Sequence, residues 1–151
     1  MKVALGCDHA GYLLKEAVWS SLQSSGHEVI DKGTFSQESC DYPDFAEQVA
    51  VAVAGGEAER GICICATGIG MAMAANKVAG IRAAVCNDLY TARFSRLHND
   101  ANLLALGARV IGPGLAEEIV KVWIETDFEA GRHSRRVDKI AGMEERDGGR
   151  P

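Results

Sequence analysis

Short apolar runs alternate with longer amphipathic segments along most of the chain. Each apolar run is too short and too continuous for an amphipathic helix, and therefore predicts a buried strand. The predicted strands lie at 3–7, 28–31, 61–65 and 81–86, with a fifth that closes at Val110-Ile111. Between the strands, apolar residues recur at three- and four-residue steps, which predicts helices. The predicted helices span 11–24, 44–54, 71–78, 88–98, 114–127 and 134–146.

The order of these elements predicts the fold class. Strands that alternate with helices at this spacing form βαβ units, whose right-handed crossovers give a parallel sheet covered on both faces. We therefore expect an α/β protein, a single-domain three-layer αβα sandwich with a Rossmann-like five-stranded parallel sheet and an additional C-terminal helix. The domain is expected over 1–146, with a frayed tail over 147–151. Ligands of such sheets bind beyond the carboxyl ends of the strands, so the chemistry is expected there.

Composition and charge exclude several function classes. The chain has 151 residues, of which 47% are hydrophobic and 25% charged, a balance typical of one globular domain. A net charge of −5 argues against a broad nucleic-acid or anionic-membrane surface. No apolar run reaches the ~18 residues of a membrane span. The five cysteines have neither disulfide-framework nor zinc-ligand spacing, which predicts a cytoplasmic protein without a metal.

The segment that follows the third predicted strand predicts an anion site. It contains Gly68 and Gly70 and opens a helix, so backbone N–H groups and the helix dipole converge on one spot. A dinucleotide site is the alternative, with Asp88 twenty residues beyond Gly68 as the ribose-binding acid. Met73 stands where that fingerprint requires a small residue, which favours the anion site.

Cys65 ends the third strand beside this loop, where the positive end of the next helix favours a thiolate that acts as base or nucleophile. Cys63, two residues earlier on the apolar strand, is explained more simply as a small core residue. Asp8-His9 follows the first strand, where a turn could also require the aspartate for hydrogen bonding.

Two polar clusters lie outside the strand ends. His98-Asn99 closes a predicted helix, and capping by Asn with a His favourable to the helix dipole explains it equally well. Residues 132–136 form a dense basic stretch in an acidic chain. If this stretch is helical, Arg132 and Arg136 share a face and suit bidentate phosphate binding; a solvated surface is the alternative.

Taken together, these motifs resemble the type B ribose-5-phosphate isomerases, a family that includes allose- and galactose-6-phosphate isomerases. The matching segments lie in order at 6–11, 62–70, 75–77, 80–83, 98–102 and 131–136, within about residues 2 to 145. The resemblance implies metal-free, cofactor-free aldose–ketose isomerisation of a phosphorylated sugar through a cis-enediolate. It implies a small phosphosugar as the ligand and no nucleic-acid or membrane partner.

The resemblance also implies roles for individual residues. The implied catalytic residues are Cys65, His98 and Thr67. The implied substrate-binding residues are Asp8, His9, Ala66, Gly68, Ile69, Gly70, Asn99, Arg109, Arg132 and Arg136. Cys65 would move the proton from C2 to C1, His98 would help open the sugar ring, and the N–H groups from Thr67 to Gly70 would hold the enediolate oxygens. Asp8 and Asn99 would contact hydroxyls, and His9 and the arginines would surround the phosphate or nearby hydroxyls.

Substrate and assembly follow from the resemblance less specifically. Ribose 5-phosphate is expected; erythrose or erythrulose 4-phosphate, or six-carbon allose or galactose 6-phosphate, are alternatives, since Ala66 stands where the family usually has glycine. A non-catalytic nucleotide- or sugar-phosphate-binding regulator on the same sheet is the alternative from another class. Because Cys65 and His98 occur in one chain, a homodimer or dimer of dimers is expected, with Arg132 and Arg136 supplied by the neighbour of the subunit that supplies the cysteine.

Overall fold

A computed structural model describes residues 1–147, and side chains up to Glu144. Five parallel strands form one sheet in the order β2-β1-β3-β5-β4. The strands are β1 (Lys2–Cys7), β2 (Glu28–Asp31), β3 (Arg60–Cys65), β4 (Ala83–Val85) and β5 (Leu103–Gly107). The helices are α1 (Tyr12–Ser24), α2 (Tyr42–Ala54), α3 (Ile69–Ala75), α4 (Leu89–Leu97), α5 (Pro113–Glu125) and α6 (Ser134–Asp147), with a 3₁₀ turn over Gly131–His133.

The apolar side chains bury themselves on both faces of this sheet, which confirms the predicted three-layer α/β fold. One core lies under α1, α4 and α5 and includes Leu5, Val18, Ile62, Ala92, Leu104 and Trp123. The other lies under α2 and α3 and includes Ala4, Val49, Cys63, Met71 and Leu103. Every residue of the central strand β3 is buried, because a parallel strand in this position is covered on both sides.

The predicted end of the fifth strand is wrong. The strand ends at Gly107, and Val110-Ile111 belongs to a turn in which both backbone N–H groups donate to the Gly107 carbonyl, at 2.9 and 3.0 Å. Val110 is 57% exposed, so its hydrophobicity does not mark a buried strand. Position 107 is occupied by glycine because a Cβ there would lie 2.9 Å from the Thr67 carbonyl oxygen.

Other boundaries differ by a few residues. Helix α3 begins at Ile69 because Gly68, with φ of +79°, turns the chain directly into it. It ends at Ala75, and the side chain of the next residue, Asn76, exchanges hydrogen bonds of 2.7 and 3.0 Å with the backbone of Ala83. Of the tail predicted to fray over 147–151, Asp147 is the last residue of α6 and residues 148–151 lie outside the described residues. Within 1–147 no helix has the length and hydrophobicity of a membrane span.

Buried guanidinium groups brace the amino-terminal edge of the sheet. Arg60, the first residue of β3, donates from Nη1 to the carbonyl oxygens of Trp123 and Ile124 at 2.9 and 2.7 Å. Arg96 donates from Nη1 to the Ala101 carbonyl at 2.7 Å and from Nε to the Thr126 carbonyl at 3.3 Å. These bonds tie the ends of α4 and α5 together, which positions the segment that follows α5.

Candidate active site

Three strand ends meet around Cys65 at the carboxyl edge of the sheet. Cys65 is the last residue of β3 and is only 5% exposed. The Asp8 N–H donates to the Ile64 carbonyl at 3.1 Å, which joins the end of β1 to that of β3. The Ala108 N–H donates to the Cys65 carbonyl at 2.8 Å, which adds the loop after β5. The sulfur therefore lies where the loops of three neighbouring strands converge.

The loop after Cys65 aims a backbone donor at its sulfur. The Gly68 N–H donates to Cys65 Sγ at 3.1 Å. A Cβ at Gly68 would lie 3.1 Å from the Leu106 carbonyl carbon, and the positive φ also requires glycine. Thr67 is exposed, and its Oγ1 accepts the Ile69 N–H at 3.3 Å. The loop thus gives the sulfur a donor for the negative charge of a thiolate and leaves a hydroxyl at the surface.

The thiols of Cys7, Cys86 and Cys63 differ from the Cys65 sulfur. The Cys7 and Cys86 thiols each donate to a backbone carbonyl, with sulfur-to-oxygen distances of 3.9 Å. Burial raises the pKa of the Cys7 thiol to about 11. Burial also raises the pKa of Cys63 far above its ordinary value, so that thiol stays neutral. Among the described residues, Cys65 is the cysteine whose sulfur accepts a backbone N–H.

Hydrogen bonds to backbone N–H groups orient the side chains of Asp8 and His9 beside this loop. Asp8 is buried, and its Oδ1 accepts the N–H groups of Ala10 and Gly11 at 2.9 and 3.0 Å. His9 Nδ1 accepts the Cys40 N–H at 3.2 Å, so the proton of a neutral ring is on Nε2. His9 is therefore a donor at Nε2.

The remaining predicted residues of the carboxyl edge lie on the same loops. Ala66 uses its carbonyl oxygen to accept the Arg109 N–H at 3.0 Å, so the exposed arginine extends from the loop beside Cys65. Ile69 is exposed. A Cβ at Gly70 would lie 2.7 Å from the ring of Tyr42, so this tyrosine packs directly on the loop. The sequence did not predict this contact, because Tyr42 lies 28 residues before Gly70, at the start of another helix.

A second cluster gathers His98, Arg132 and Arg136. The His98 ring stacks on the ring of His133, with centroids 4.1 Å apart and planes 8° apart. Arg132 Nε donates to His133 Nε2 at 3.3 Å, and Arg136 Nη1 lies 3.5 Å from His133 Nδ1. Glu129 Oε2 lies 3.7 Å from His98 Nε2 and 3.6 Å from His133 Nε2. We call these five residues the basic cluster; Glu129 is its acidic member.

Sequence reasoning missed Glu129 and His133. Glu129 lies in the irregular segment before the 3₁₀ turn that contains His133, so the four-residue spacing is the only local signal that the two residues are in contact. The Phe94 ring, one helical turn before His98, meets the His98 ring edge-on, with centroids 4.7 Å apart and planes 64° apart, and Tyr90 packs on Phe94 at 4.3 Å. The His98 imidazole is therefore in contact with the rings of both Phe94 and His133.

The basic cluster lies at the opposite edge of the sheet from Cys65. Helix α4 starts after the carboxyl end of β4 and ends at Leu97, whose carbonyl accepts the Glu129 N–H at 3.0 Å. Asn102 O, just before β5, accepts the Gly61 N–H at 2.9 Å, and Gly61 is near the start of β3. From Gly61 to Cys65 the strand advances about 13 Å. Asn99 is exposed at this amino-terminal edge too. One chain therefore does not bring Cys65 and His98 into one site.

The basic cluster contains the one group of potential metal ligands among the described residues. The ligand atoms of His98, Glu129 and His133 lie within 4.8 Å of one another. The lone pair of an imidazole nitrogen lies in the plane of the ring. Because the two rings are stacked with their planes only 8° apart, their lone pairs run nearly parallel and do not converge on one metal ion. Moreover, Arg132 already donates to His133 Nε2. The arrangement suits an anion better than a cation.

Comparison with known proteins gives the family. A match to the family described as Ribose/Galactose Isomerase covers residues 3–140. The chain belongs to this family. Ribose-5-phosphate isomerase B of Escherichia coli (strain K12) is 54% identical over 145 residues, 96% of this chain and 97% of the relative. The solved ribose-5-phosphate isomerase B of Clostridium thermocellum superposes with a TM-score of 0.96 at 55% identity, covering 97% of this chain and 99% of that one.

Relatives within the ribose/galactose isomerase family differ in the sugar that their names specify. A D-erythrulose-4-phosphate isomerase of Pectobacterium atrosepticum is 45% identical over 145 residues, 95% of each chain. Members with these names convert aldoses to ketoses, and this chain is likewise an aldose–ketose isomerase, an intramolecular oxidoreductase.

The expectation that Met73 stands where a dinucleotide site requires a small residue packed on the sheet is wrong. Met73 is 66% exposed and does not pack on the sheet, so its size does not argue against such a site.

Proposed function

We propose that the protein interconverts ribose 5-phosphate and ribulose 5-phosphate through a cis-enediolate, without a metal ion. The observation that carries the proposal is the Cys65 sulfur, which accepts the Gly68 N–H at 3.1 Å at the edge where ligands of parallel sheets bind. Such an isomerisation needs a base for the proton on the carbon next to a carbonyl, and donors for the oxygen that becomes negative. Relatives named ribose-5-phosphate isomerase B, at 54% and 55% identity, support this substrate.

At the carboxyl edge, each residue has a chemical task. The Cys65 thiolate takes the proton from C2 and returns it to C1. Backbone N–H groups between Thr67 and Gly70 stabilise the enediolate oxygens. The Asp8 carboxylate, already oriented by two N–H groups, accepts from a sugar hydroxyl. His9, which donates from Nε2, and Arg109 contact the phosphate end of the substrate.

The remaining tasks require a second copy of the chain. The basic cluster lies about 13 Å or more from Cys65 along the strands of its own chain, which supports a site shared between two subunits. In a two-fold dimer, the basic cluster of one subunit faces the carboxyl edge of the other, and two identical sites form. His98 then assists ring opening, Asn99 contacts a hydroxyl, and Arg132 and Arg136 bind the phosphate. The assembly is a homodimer or a dimer of such dimers.

Replacing His98 with asparagine is expected to impair the cyclic substrate most. Because the proposed task of His98 is proton transfer during ring opening, kcat/KM on ribose 5-phosphate should fall by roughly 10²-fold or more. An analogue that cannot cyclise should recover most of that loss. The measurement is kcat/KM for both substrates with wild type and variant. Equal losses on the two substrates would exclude the ring-opening role.

Chelation of divalent ions is expected to leave the rate unchanged. The proposed base is a thiolate, and the stacked imidazoles of His98 and His133 do not converge on a metal ion. Turnover should therefore be the same before and after incubation with EDTA and removal of the chelator. Activity that is lost with EDTA and returns with a divalent ion would contradict the metal-free mechanism.

A four-carbon substrate is the second candidate. The relative named D-erythrulose-4-phosphate isomerase is 45% identical over nearly the whole chain, so the family fold also serves that sugar. Ala66 adds a methyl group between Cys65 and Thr67, close to the carbons that react. A methyl group there can change which chain length fits the loop.

The experiment that tests the proposed function is a comparison of kcat/KM across four-, five- and six-carbon aldose and ketose phosphates. Ribose and ribulose 5-phosphate should exceed the others by about tenfold or more. A preference for erythrulose 4-phosphate or a six-carbon phosphate would show that ribose 5-phosphate is the wrong substrate, while the proposed isomerisation mechanism would still hold. No turnover of any phosphosugar, together with thermal stabilisation by a nucleotide, would favour the non-catalytic regulator instead.

A further inference from the structure

His133 has no task in the proposed reaction, yet it touches three residues that do. Its ring stacks on His98 at 4.1 Å, its Nε2 accepts from Arg132 Nε at 3.3 Å, and its Nδ1 lies 3.5 Å from Arg136 Nη1. The residue is 5% exposed, whereas the two arginines are exposed. A buried ring thus supports the exposed side chains that contact the ligand.

We propose that His133 is a positioning residue that does two separable things: its ring face holds the His98 imidazole, and its Nε2 holds the Arg132 guanidinium for the substrate phosphate. The inference rests on the proposed function, since it takes His98 and Arg132 as members of that site. A free arginine side chain loses much rotational freedom when it binds phosphate. An acceptor that orients the guanidinium beforehand reduces that loss and so strengthens phosphate binding.

The charge state of His133 fits this role. Four charged or titratable groups face its ring: His98 at the end of α4, Glu129 from the segment after α5, Arg132 beside it, and Arg136 from α6. Burial, followed by electrostatic repulsion from the His98 and Arg132 side chains, lowers the pKa of His133 below its ordinary value, against the opposing effect of Glu129. The neutral ring has a lone pair on Nε2 for Arg132, whereas a protonated ring would have none.

Two substitutions separate the two tasks. His133→Phe keeps a flat ring against His98 and removes the Nε2 acceptor. His133→Gln places an amide oxygen near the former Nε2 and removes the ring face. A purely structural histidine would make both variants lose stability without separating KM from kcat. Arg135→Ala is the control, because Arg135 is an exposed arginine of the same segment that the proposed site does not use.

The experiment measures kcat and KM for ribose 5-phosphate, and the dissociation constant of inorganic phosphate by calorimetry, on the assembled protein. His133→Phe should raise KM and the phosphate dissociation constant about tenfold, with kcat within about twofold of wild type. His133→Gln should keep both binding constants within about threefold and lower kcat about tenfold on the cyclic sugar. Arg135→Ala should change none of these. Equal effects of Phe and Gln on KM and kcat, or no effect of either, would overturn the proposal.

Folding and the proposed function are checked separately. If His133→Phe does not fold, His133→Asn takes its place, because its shorter amide also lacks an acceptor at the Nε2 position; the same rise in KM is expected. If the wild type turns over no phosphosugar, the proposed function fails. The role of His133 is then decided by phosphate binding alone: a tenfold weaker affinity in the Phe variant supports it, and unchanged affinity overturns it.

Discussion

Cys65→Ala is expected to abolish both turnover and the exchange of the substrate C2 proton with solvent, while the protein stays folded. Among the described residues, the Cys65 sulfur is the cysteine sulfur that accepts a backbone N–H, and no other titratable side chain takes over its position at the end of β3. Loss of a positioned base typically costs 10²–10⁴-fold in rate, and here the base is also the carrier of the proton. The measurement is tritium or deuterium exchange at C2, beside kcat.

Cys63→Ala is the matched control, since the same change is made two residues earlier on the same strand. Cys63 is fully buried and its thiol stays neutral, so its loss creates only a small cavity. The free energy of unfolding should fall by about 1 kcal/mol, with nearly full turnover. C2 exchange at a near-normal rate in Cys65→Ala would remove Cys65 from the mechanism.

Mixing two inactive variants, Cys65→Ala and Arg136→Ala, is expected to restore turnover once the subunits exchange. The two residues lie at opposite edges of one chain, so each proposed site combines Cys65 of one subunit with Arg136 of the other. In a mixed dimer, one site carries both substitutions and the other carries neither. With equal and random pairing about half of the dimers are mixed, so about a quarter of all sites, and of the wild-type rate, should return.

Because His98 belongs to the basic cluster, two further mixtures of variants test the shared site. Cys65→Ala with His98→Asn should also recover about a quarter of the sites, because these residues too come from different subunits. His98→Asn with Arg136→Ala should recover nothing, because both residues belong to the same cluster and each site keeps one substitution. Mass spectrometry confirms subunit exchange. Absence of recovery in the first two mixtures, with exchange confirmed, would exclude the shared site and leave the isomerase assignment unchanged.

The carboxyl edge could be predicted from the sequence because its residues lie in short local segments. Cys65 and the loop to Gly70 follow one strand directly, and a parallel sheet carries every such loop to the same edge. The basic cluster could be predicted only in part. His98 and His133 are 35 residues apart, and their stacking depends on contacts between distant segments, such as those of Arg96 with Thr126 and of Leu97 with Glu129.

The sequence by itself determined the alternation of strands and helices, hence the parallel sheet, and the chemistry at the strand ends, because both depend on local periodicity and on residues a few positions apart. Tertiary structure alone decided where a strand stops, as at Gly107, since the segment after it is held by backbone hydrogen bonds to Cys65 and Ala66 of another loop. It also decided which residues surround His98, because His133, whose ring stacks on it, comes from a segment 35 residues further along the chain.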